Sequence, residues 1–266
     1  MARRFEGRSV IVTGGGRGIG EATARRFAAD GADVLVLSRT EAEVAAVAAS
    51  IRAAGGSAWH AVGDVGSGAD VDRIVTSAEE RWAGKIDVLV NNAGVDHDCA
   101  FLAFPESEWR RVLDVNLTGP FLCAQRVART MVRAGAGAIV HVSSIDALGA
   151  DGTQVAYNAS KAGLLGLSRT LATELGPLGI RSTVVNPGYV ATPLTRQYVG
   201  EAMYEYMTTR FARVPQGRMA EPDEIASAIL FLASDDARHV NGTELTVDGG
   251  TTANLYIVET LPGADA

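Results

Sequence analysis

Hydrophobic residues gather in short runs along the whole chain, and each run is followed by a longer stretch with helical spacing. The runs are rich in β-branched residues. They are continuously apolar rather than alternating, which is typical of parallel strands covered on both faces. Such runs predict strands at Ser9–Thr13, Asp33–Leu37, Ser57–Val62, Ile86–Val90, Ala138–Val142, Ile180–Val185 and Glu244–Val247.

The stretches between these strands carry the start and stop signals of helices. Thr40 and Glu43 form a capping-box pattern, and Gly55 follows the same stretch as a stop signal. Pro222 occupies the first-turn position of a later helix. Helical faces are marked by Val44, Val47 and Ile51, by Val71, Ile74, Val75 and Ala78, by Leu164, Leu167 and Leu171, and by Ile225, Ile229 and Leu232.

Alternating strands and helices with short connections predict an α/β fold. We expect a single Rossmann-like domain over residues 1–266, with a doubly wound parallel seven-stranded sheet and helices on both faces. Only residues 192–215 and the tail 251–266 break this rhythm. In the tail, the apolar piece Leu255–Val258 either packs on a neighbouring subunit or is disordered with the rest.

The composition narrows the class of protein. Apolar residues make up 47% and charged residues 21% of the chain, and the formal net charge is -7, which disfavours nucleic acid as a partner. No apolar run is long enough for a membrane helix, and no signal-peptide pattern opens the chain. Cys99 and Cys123 have neither metal-binding nor disulfide spacing. We therefore expect a cytoplasmic protein with reduced thiols.

Glycines dominate the junction between the first strand and the first helix, where Gly14, Gly16, Gly18 and Gly20 stand close together. A strand-to-helix turn without β-carbons lets backbone N–H groups and the positive helix end approach a pyrophosphate. A tight turn with no ligand would explain the glycines alone. Their position after a strand, before a helix and early in the chain favours a dinucleotide site.

The end of the second strand predicts which dinucleotide binds. A carboxylate there would bind the ribose 2′-hydroxyl of NAD, whereas arginine accommodates the 2′-phosphate of NADP. Ser38 stands where the acid would be, and Arg39 follows it, with Arg17 in the glycine turn able to reach the same phosphate. Arg39 taken alone could be a solvated charge, but the combination predicts NADP(H).

Tyr157 and Lys161 are four residues apart in a helical segment, so they share a helix face. A nearby cation lowers the pKa of a phenol, which would make Tyr157 a general acid and base. An exposed helix face would also explain this spacing alone. Ser144 ends the preceding strand and can orient a substrate carbonyl, while Ser143 is expected to be structural. Asn116, taken alone, could be a buried amide in a bent helix.

Together these motifs resemble the short-chain dehydrogenase/reductase family from about Gly7 to Gly250. Gly14, Gly18 and Gly20 match its T-G-x-x-x-G-x-G turn, and Ser144 stands at the family's usual distance before Tyr157. In that family the equivalent of Asn116 carries a water in the proton relay. The resemblance implies catalysis by Asn116, Ser144, Tyr157 and Lys161, and cofactor contacts from Gly14, Gly16, Arg17, Gly18, Ile19, Gly20, Ser38, Arg39, Asp64, Val65, Asn92, Ala93, Gly94, Tyr157, Lys161, Pro187, Gly188, Val190 and Thr192.

The resemblance also implies an activity, which is NADPH-dependent reduction of a ketone to a secondary alcohol. The chain looks similar to 3-oxoacyl-[acyl-carrier-protein] reductases and related ketoreductases, which implies a 3-oxoacyl, polyketide or cyclic ketone substrate. An alcohol dehydrogenase acting on a steroid, sugar or diol is the alternative, and a nucleotide-sensing protein without turnover is a remote one. The apolar and aromatic residues within 192–215, the position of the family's lid, suggest a hydrophobic or ring-bearing substrate rather than a bare sugar.

Three further expectations concern partners and polar residues. The resemblance implies a homotetramer, formed through helices at about Thr118–Arg133 and Tyr157–Leu175 that carry apolar residues on more than one face. Adjacent residues in a short loop cannot easily converge on one ion, so the run Asp96-His97-Asp98-Cys99 predicts no metal site. We expect this loop and Asp146 to line the substrate entrance.

Overall fold

The computed structural model describes residues 3–150 and 152–254, and in that part of the chain seven strands form one parallel sheet. The strand order is β3-β2-β1-β4-β5-β6-β7, as expected of a doubly wound fold. The strands are β1 (Ser9–Thr13), β2 (Asp33–Ser38), β3 (Ser57–Val62), β4 (Val88–Asn91), β5 (Gly137–Val142), β6 (Ile180–Pro187) and β7 (Glu244–Val247). The predicted fold class is confirmed.

Helices cover both faces of the sheet. They are α1 (Gly18–Ala29), α2 (Glu41–Ala53), α3 (Gly68–Arg81), α4 (Glu106–Leu113), α5 (Gly119–Ala134), α6 (Val155–Leu175), α7 (Pro193–Val199), α8 (Glu201–Thr209) and α9 (Pro222–Ala233). On one face Phe27 of α1, Val44 of α2 and Ile229 of α9 pack against the valines of the central strands. On the other, Ile74 of α3 and Met131 of α5 pack against the leucines and isoleucines of the same strands.

The strand ends differ slightly from those predicted. β4 begins at Val88 rather than at Ile86, and β6 continues through Pro187 into the site. The expectation that every strand is covered on both faces is wrong for the edge strands. In β3 the ends Ser57 and Val62 are exposed, and β7 is only half-buried along its length. Both strands lie at an edge of the sheet, where no neighbouring strand shields the outer side from solvent.

The predicted capping box at the start of α2 is also wrong. Thr40 is the N-cap residue, but its side chain makes no capping hydrogen bond. Glu43 turns instead towards the glycine turn, where its carboxylate lies 3.9 Å from Arg17. A capping interaction does occur at α9, where the Glu224 carboxylate accepts the N–H of Glu221 at 2.8 Å.

Two features of the fold create a site at one edge of the sheet. The chain runs outward from β1 to β3 and then returns to β4, so the loops after β1 and β4 diverge and leave a crevice. Between α4 and α5 the helix widens into a π-helical segment at Asp114–Thr118, which turns Asn116 towards the loop after β4.

The segment after β6 forms its own small unit over the same edge. It contains α7 and α8, and Met207, Phe211, Val214 and Met219 pack together as a separate apolar cluster. None of the helices in residues 3–150 and 152–254 combines the length and the apolar character needed to cross a membrane. Leu255–Val258, the predicted packing segment of the tail, lies outside the described residues.

Arg181 on β6 provides a test of how α9 is attached to the sheet. Its guanidinium donates to the carbonyls of Leu232, Ser234 and Val240 at 2.7, 3.0 and 3.3 Å. Arg181→Met keeps the apolar stem but removes a charged donor from these carbonyls. We expect the free energy of unfolding to fall by about 2–3 kcal/mol, measured by urea denaturation at fixed protein concentration.

Arg169→Met is the matched control. Arg169 is exposed and lies 3.3 Å from Glu244, so its loss should cost only about 0–1 kcal/mol. Equal destabilisation by the two substitutions would contradict the attachment role of Arg181.

Candidate active site

A cavity of about 550 Å³ follows the carboxyl ends of strands β1 to β6, and it takes in most of the residues singled out in the sequence. Two of them, Gly20 and Asn116, do not line it. The others do: Gly14, Gly16, Arg17, Gly18, Ile19, Ser38, Arg39, Asp64, Val65, Asn92, Ala93, Gly94, Ser144, Tyr157, Lys161, Pro187, Gly188, Val190 and Thr192.

The glycine turn after β1 needs its glycines for different reasons. Gly14 and Gly18 have positive φ values of 63° and 55°, a region that residues with a β-carbon rarely adopt. A β-carbon at Gly20 would overlap the carbonyl oxygen of Gly14. Gly20 therefore supports the turn from behind by close helix–strand packing, and it contributes no surface to the cavity.

Asn92 ties this turn to the end of β4. Its side-chain amide donates to the carbonyls of Thr13 and Gly14 at 3.0 and 3.1 Å. In return, the Thr13 hydroxyl accepts the N–H groups of Asn92 and Ala93, both at 3.0 Å. The two loops that border the crevice are thus held in a fixed relation.

At the β2 end of the cavity the predicted phosphate-binding arginines face solvent. Arg39 lies 3.6 Å from Asp64, and Arg17 lies 3.9 Å from Glu43. Both guanidinium side chains are 56% exposed, so these are loose ion pairs that leave donors free to meet a ligand. Sequence reasoning assigned Glu43 to a helix cap and missed its place in this wall.

Tyr157 and Lys161 lie near the first turns of α6, on one face of the helix, beside the end of β5. The Lys161 ammonium donates to the carbonyl of Val142 at 2.9 Å and lies 5.3 Å from the centre of the Tyr157 ring. Ser144 follows β5 directly, and its hydroxyl hydrogen-bonds the phenol. Ser143 donates to the carbonyl of Lys161 at 2.8 Å, which is a structural contact, as expected.

Burial controls the protonation of this pair. It raises the pKa of Tyr157 above its usual value, and the Asp146 carboxylate adds to the effect, while the hydrogen bond with Ser144 opposes it. Burial also lowers the pKa of Lys161 to about 8. The expected lowering of the Tyr157 pKa by Lys161 is therefore not found: desolvation of the phenolate raises this pKa, and Lys161 is not among the groups that shift it.

Asn116 has a visible structural role. Its side chain accepts the N–H of Val95 at 2.8 Å and donates to the Val95 carbonyl at 2.8 Å and to Ser160 at 3.1 Å. These bonds fix the loop after β4 against α6. Its predicted part in a proton relay stays a prediction.

The side of the cavity facing Tyr157 is acidic. Asp96 and Asp98 come from the loop after β4, and Asp146 comes from the turn after β5, as expected of entrance residues. Gln154 donates to Asp96 at 2.6 Å, and the Ser144 hydroxyl donates to Asp146 at 3.1 Å.

Sequence reasoning missed Gln154 as a site residue. It occupies the N-cap position of α6, three residues before Tyr157, and it lines the cavity. That spacing on the same helix face was the available signal. Among the described residues, no group of three His, Cys, Asp or Glu side chains is placed to hold a metal ion.

The segment after β6 closes the remaining side. Thr192 lines the cavity, and its hydroxyl also accepts the N–H of Thr195 at 3.2 Å as the N-cap of α7. Of the apolar and aromatic residues expected to face a substrate here, Leu194, Tyr198 and Met207 reach the cavity. The others face solvent or pack within the segment itself.

The residues along this cavity fit a dinucleotide. The glycine turn brings a helix N-terminus to the middle of the cavity, with β-carbons absent at Gly14, Gly16 and Gly18. Exposed guanidinium groups of Arg17 and Arg39 stand at the β2 end, and Tyr157 stands at the β5 end.

Comparisons with known proteins agree with this geometry. Residues 14–252 match the family model described as Enoyl-(Acyl carrier protein) reductase. The chain is 41% identical to the L-rhamnose 1-dehydrogenase (NAD(P)(+)) of Azotobacter vinelandii, over 93% of this chain and 98% of that protein. It is 36% identical to a 3-oxoacyl-[acyl-carrier-protein] reductase of Synechocystis sp., over 90% and 95%.

A solved structure is similar over nearly the whole chain. It is a gluconate 5-dehydrogenase from Burkholderia cenocepacia in complex with NADP and tartrate, 37% identical, with a TM-score of 0.88, covering 96% of this chain and 99% of that one. The fold, the matched family model and these relatives confirm the resemblance drawn from the motifs: the chain is an oxidoreductase of the short-chain dehydrogenase/reductase family.

Proposed function

We propose that this protein is an NADP(H)-dependent oxidoreductase that interconverts a ketone and a secondary alcohol, with Tyr157 as the proton donor and acceptor. The observation that carries the proposal is the convergence of Ser144, Tyr157 and Lys161 at one end of a cavity whose other end presents Arg17 and Arg39. Such a cavity holds a dinucleotide and leaves its reacting end beside a phenol.

Each chemical residue has a distinct task in this proposal. When bound, the nicotinamide donates or accepts a hydride. Tyr157 gives a proton to the carbonyl oxygen during reduction and takes it from the hydroxyl during oxidation. Ser144 orients the same oxygen by hydrogen bonding. Lys161, anchored on the Val142 carbonyl, keeps a positive charge beside the phenol and can bind the cofactor ribose.

The preference for NADP(H) over NAD(H) rests on the β2 end of the cavity. Ser38 stands where a carboxylate would bind a ribose 2′-hydroxyl, and Arg17 and Arg39 offer charged, bidentate donors to a 2′-phosphate. Glu43 and Asp64 hold these arginines only loosely, at 3.9 and 3.6 Å. A phosphate can therefore displace both pairings.

Two substrate classes were left open by the sequence, namely 3-oxoacyl, polyketide or cyclic ketones, and alcohols such as a steroid, a sugar or a diol. Relatives with names of both kinds match the chain, one a 3-oxoacyl-[acyl-carrier-protein] reductase and another a rhamnose dehydrogenase. The acidic wall formed by Asp96, Asp98 and Asp146 favours the second class, because carboxylates accept hydrogen bonds from hydroxyl groups.

We further propose that the protein is a homotetramer. Phe121 on α5 is 44% exposed, which leaves a large apolar side chain on a helix surface. The expectation that α6 offers several such residues is only partly supported, because Leu164 and Leu165 are buried within the subunit.

Tyr157→Phe is the direct test of the proposed chemistry. The ring is retained while the proton donor is lost, so turnover should fall by at least about 100-fold, the range typical of a lost general acid. NADPH binding, measured by fluorescence titration, should stay within a few-fold of the parent. Tyr204→Phe, on α8 and outside the cavity lining, removes the same hydroxyl away from the reacting groups and is the control. Near-normal turnover of Tyr157→Phe would falsify the assignment.

The pH dependence of alcohol oxidation provides a second test. Oxidation needs the phenolate, and the Asp146 carboxylate disfavours it, with smaller contributions from Asp96 and Tyr198. Asp146→Asn removes a negative charge and so lowers the pKa of Tyr157. The rising limb of kcat/KM against pH should move to lower pH by about one unit.

Asp98→Asn is the control for this shift. Asp98 lines the same wall but is not among the groups that move the Tyr157 pKa. Its pH profile should match that of the parent. A shift of the Asp146→Asn profile to higher pH would contradict the electrostatic role of this carboxylate.

Cofactor choice is tested by Arg39→Asp. The substitution removes a charged donor and places a carboxylate near the 2′-phosphate, so the Kd for NADPH should rise about 10- to 100-fold while that for NADH changes little or falls. Arg110→Asp, on the exposed surface of α4, makes the same charge change away from the cavity and should alter neither Kd. Equal affinity of the parent protein for both cofactors would disprove the preference.

A further inference from the structure

The end of the cavity beside Tyr157, here called the chemical end, carries an excess of negative charge. Asp96, Asp98 and Asp146 line it, and Lys161 is the cation that lines it among the described residues. Arg39 lies at the end of β2, three strands from β5 in the sheet, which is about 14 Å at the usual strand spacing. The arginines at the nucleotide end are therefore too far away to neutralise these carboxylates.

Asp96 is held in place by neutral donors. Its carboxylate accepts the Gln154 amide at 2.6 Å and the N–H of His97 at 2.7 Å. Burial raises the pKa of this carboxyl group, and Asp98 and Asp146 add to the effect. A second anion placed against this wall would meet both desolvation and repulsion.

Two arginines near this end of the cavity, Arg111 and Arg196, do not line it. Arg111 donates to Glu108 at 2.7 Å and to the backbone carbonyl of Asp96 at 3.0 Å, and it does not line the cavity. Arg196 pairs only loosely with Glu201 at 3.4 Å, but it stacks over the ring of Tyr204 and does not line the cavity either. Neither offers a guanidinium to a substrate carboxylate or phosphate.

The apolar side chains of the lid are divided between its own core, the solvent and the cavity. Met207 and Phe211 are buried in the cluster formed by the segment after β6, and Phe211 packs edge-on against Tyr189 at 4.9 Å. Met203 and Tyr206 are exposed. The surface left for a substrate therefore combines the apolar side chains of Leu194, Tyr198 and Met207 with carboxylates, the Gln154 amide and the hydroxyl of Ser144.

We propose that Asp96 and Asp146 select an uncharged polyhydroxylated substrate, an aldose or an alditol, and reject compounds with a carboxylate or phosphate close to the reacting carbon. This proposal rests on the proposed function. In the oxidation, the C–OH group becomes C=O as its hydride passes to NADP⁺ and its hydroxyl proton passes to Tyr157. The neighbouring hydroxyls donate hydrogen bonds to the two carboxylates.

The test compares matched substrates on the full chain with NADP⁺. A panel of tetroses to hexoses and their alditols is assayed beside the corresponding aldonates, which keep the secondary hydroxyls of the alditols and carry a carboxylate in place of one terminal CH₂OH group. We expect kcat/KM for the best uncharged member to exceed that for its aldonate by at least about 100-fold, because like charges repel strongly at a partly buried site.

Asp96→Asn tests the residue itself, since it keeps the shape of the side chain and removes the charge. The preference for the uncharged member should shrink at least about 10-fold, chiefly through better use of the aldonate. Glu106→Gln, a fully comparable charge change at an exposed position on α4, should leave the preference unchanged. Saturation-transfer NMR with the aldose gives a binding readout that does not depend on turnover.

Several outcomes overturn the proposal while leaving the proposed function intact. These are equal use of aldose and aldonate, a clear preference for amino sugars, and turnover confined to unhydroxylated ketones or 3-oxoacyl thioesters. Simple ketones are included with NADPH for this reason. If no member of the whole panel is turned over, both the proposed function and the substrate class are wrong.

Discussion

The hydrogen bonds between Asn92 and the backbone of Thr13 and Gly14 are the constraint on which the rest of the site depends. They join the carboxyl ends of β1 and β4 at the point where the strand order reverses. A parallel sheet opens a crevice at that point, and without a lock the two loops could move independently. Because Gly20 carries no β-carbon, α1 can start directly behind the turn and keep its N-terminus aimed at the crevice.

Burial has opposite effects on the two titrating groups of the chemical site. It raises the pKa of Tyr157 and lowers that of Lys161, so both neutral forms are favoured by the same cause. The Asp146 and Asp96 carboxylates work against this for Lys161 and with it for Tyr157. The acidic wall therefore favours the state in which the lysine is charged and the phenol retains its proton. In that state Tyr157 can donate its proton to a carbonyl oxygen. Alcohol oxidation needs the phenolate and therefore a higher pH.

Much of the fold could be predicted because each strand and helix carries a local signal. The β-branched runs predicted β1, β3 and β7 with their observed ends, and the glycine turn predicted where the cavity would hold a nucleotide. Contacts between distant residues could not be read in this way. Gln154 and Asp96, which hydrogen-bond each other, are 58 positions apart in the sequence. Glu43 does not cap α2 as expected; its carboxylate lies beside Arg17 of the glycine turn instead. Tertiary packing decides such contacts, and local propensity carries no information on them.

The apolar composition of the lid suggests a hydrophobic substrate, and the structure divides these apolar residues between the cavity wall and the lid's own core. A short segment outside the main core must bury its own apolar residues to be stable, and Met207, Phe211, Val214 and Met219 do so. Charge distinguishes the two ends of the cavity, with guanidinium groups at the β2 end and carboxylates at the β5 end. This separation gives the cavity a direction. A phosphate group is attracted at the arginine end and repelled at the acidic end, so this charge separation favours one orientation of a bound dinucleotide.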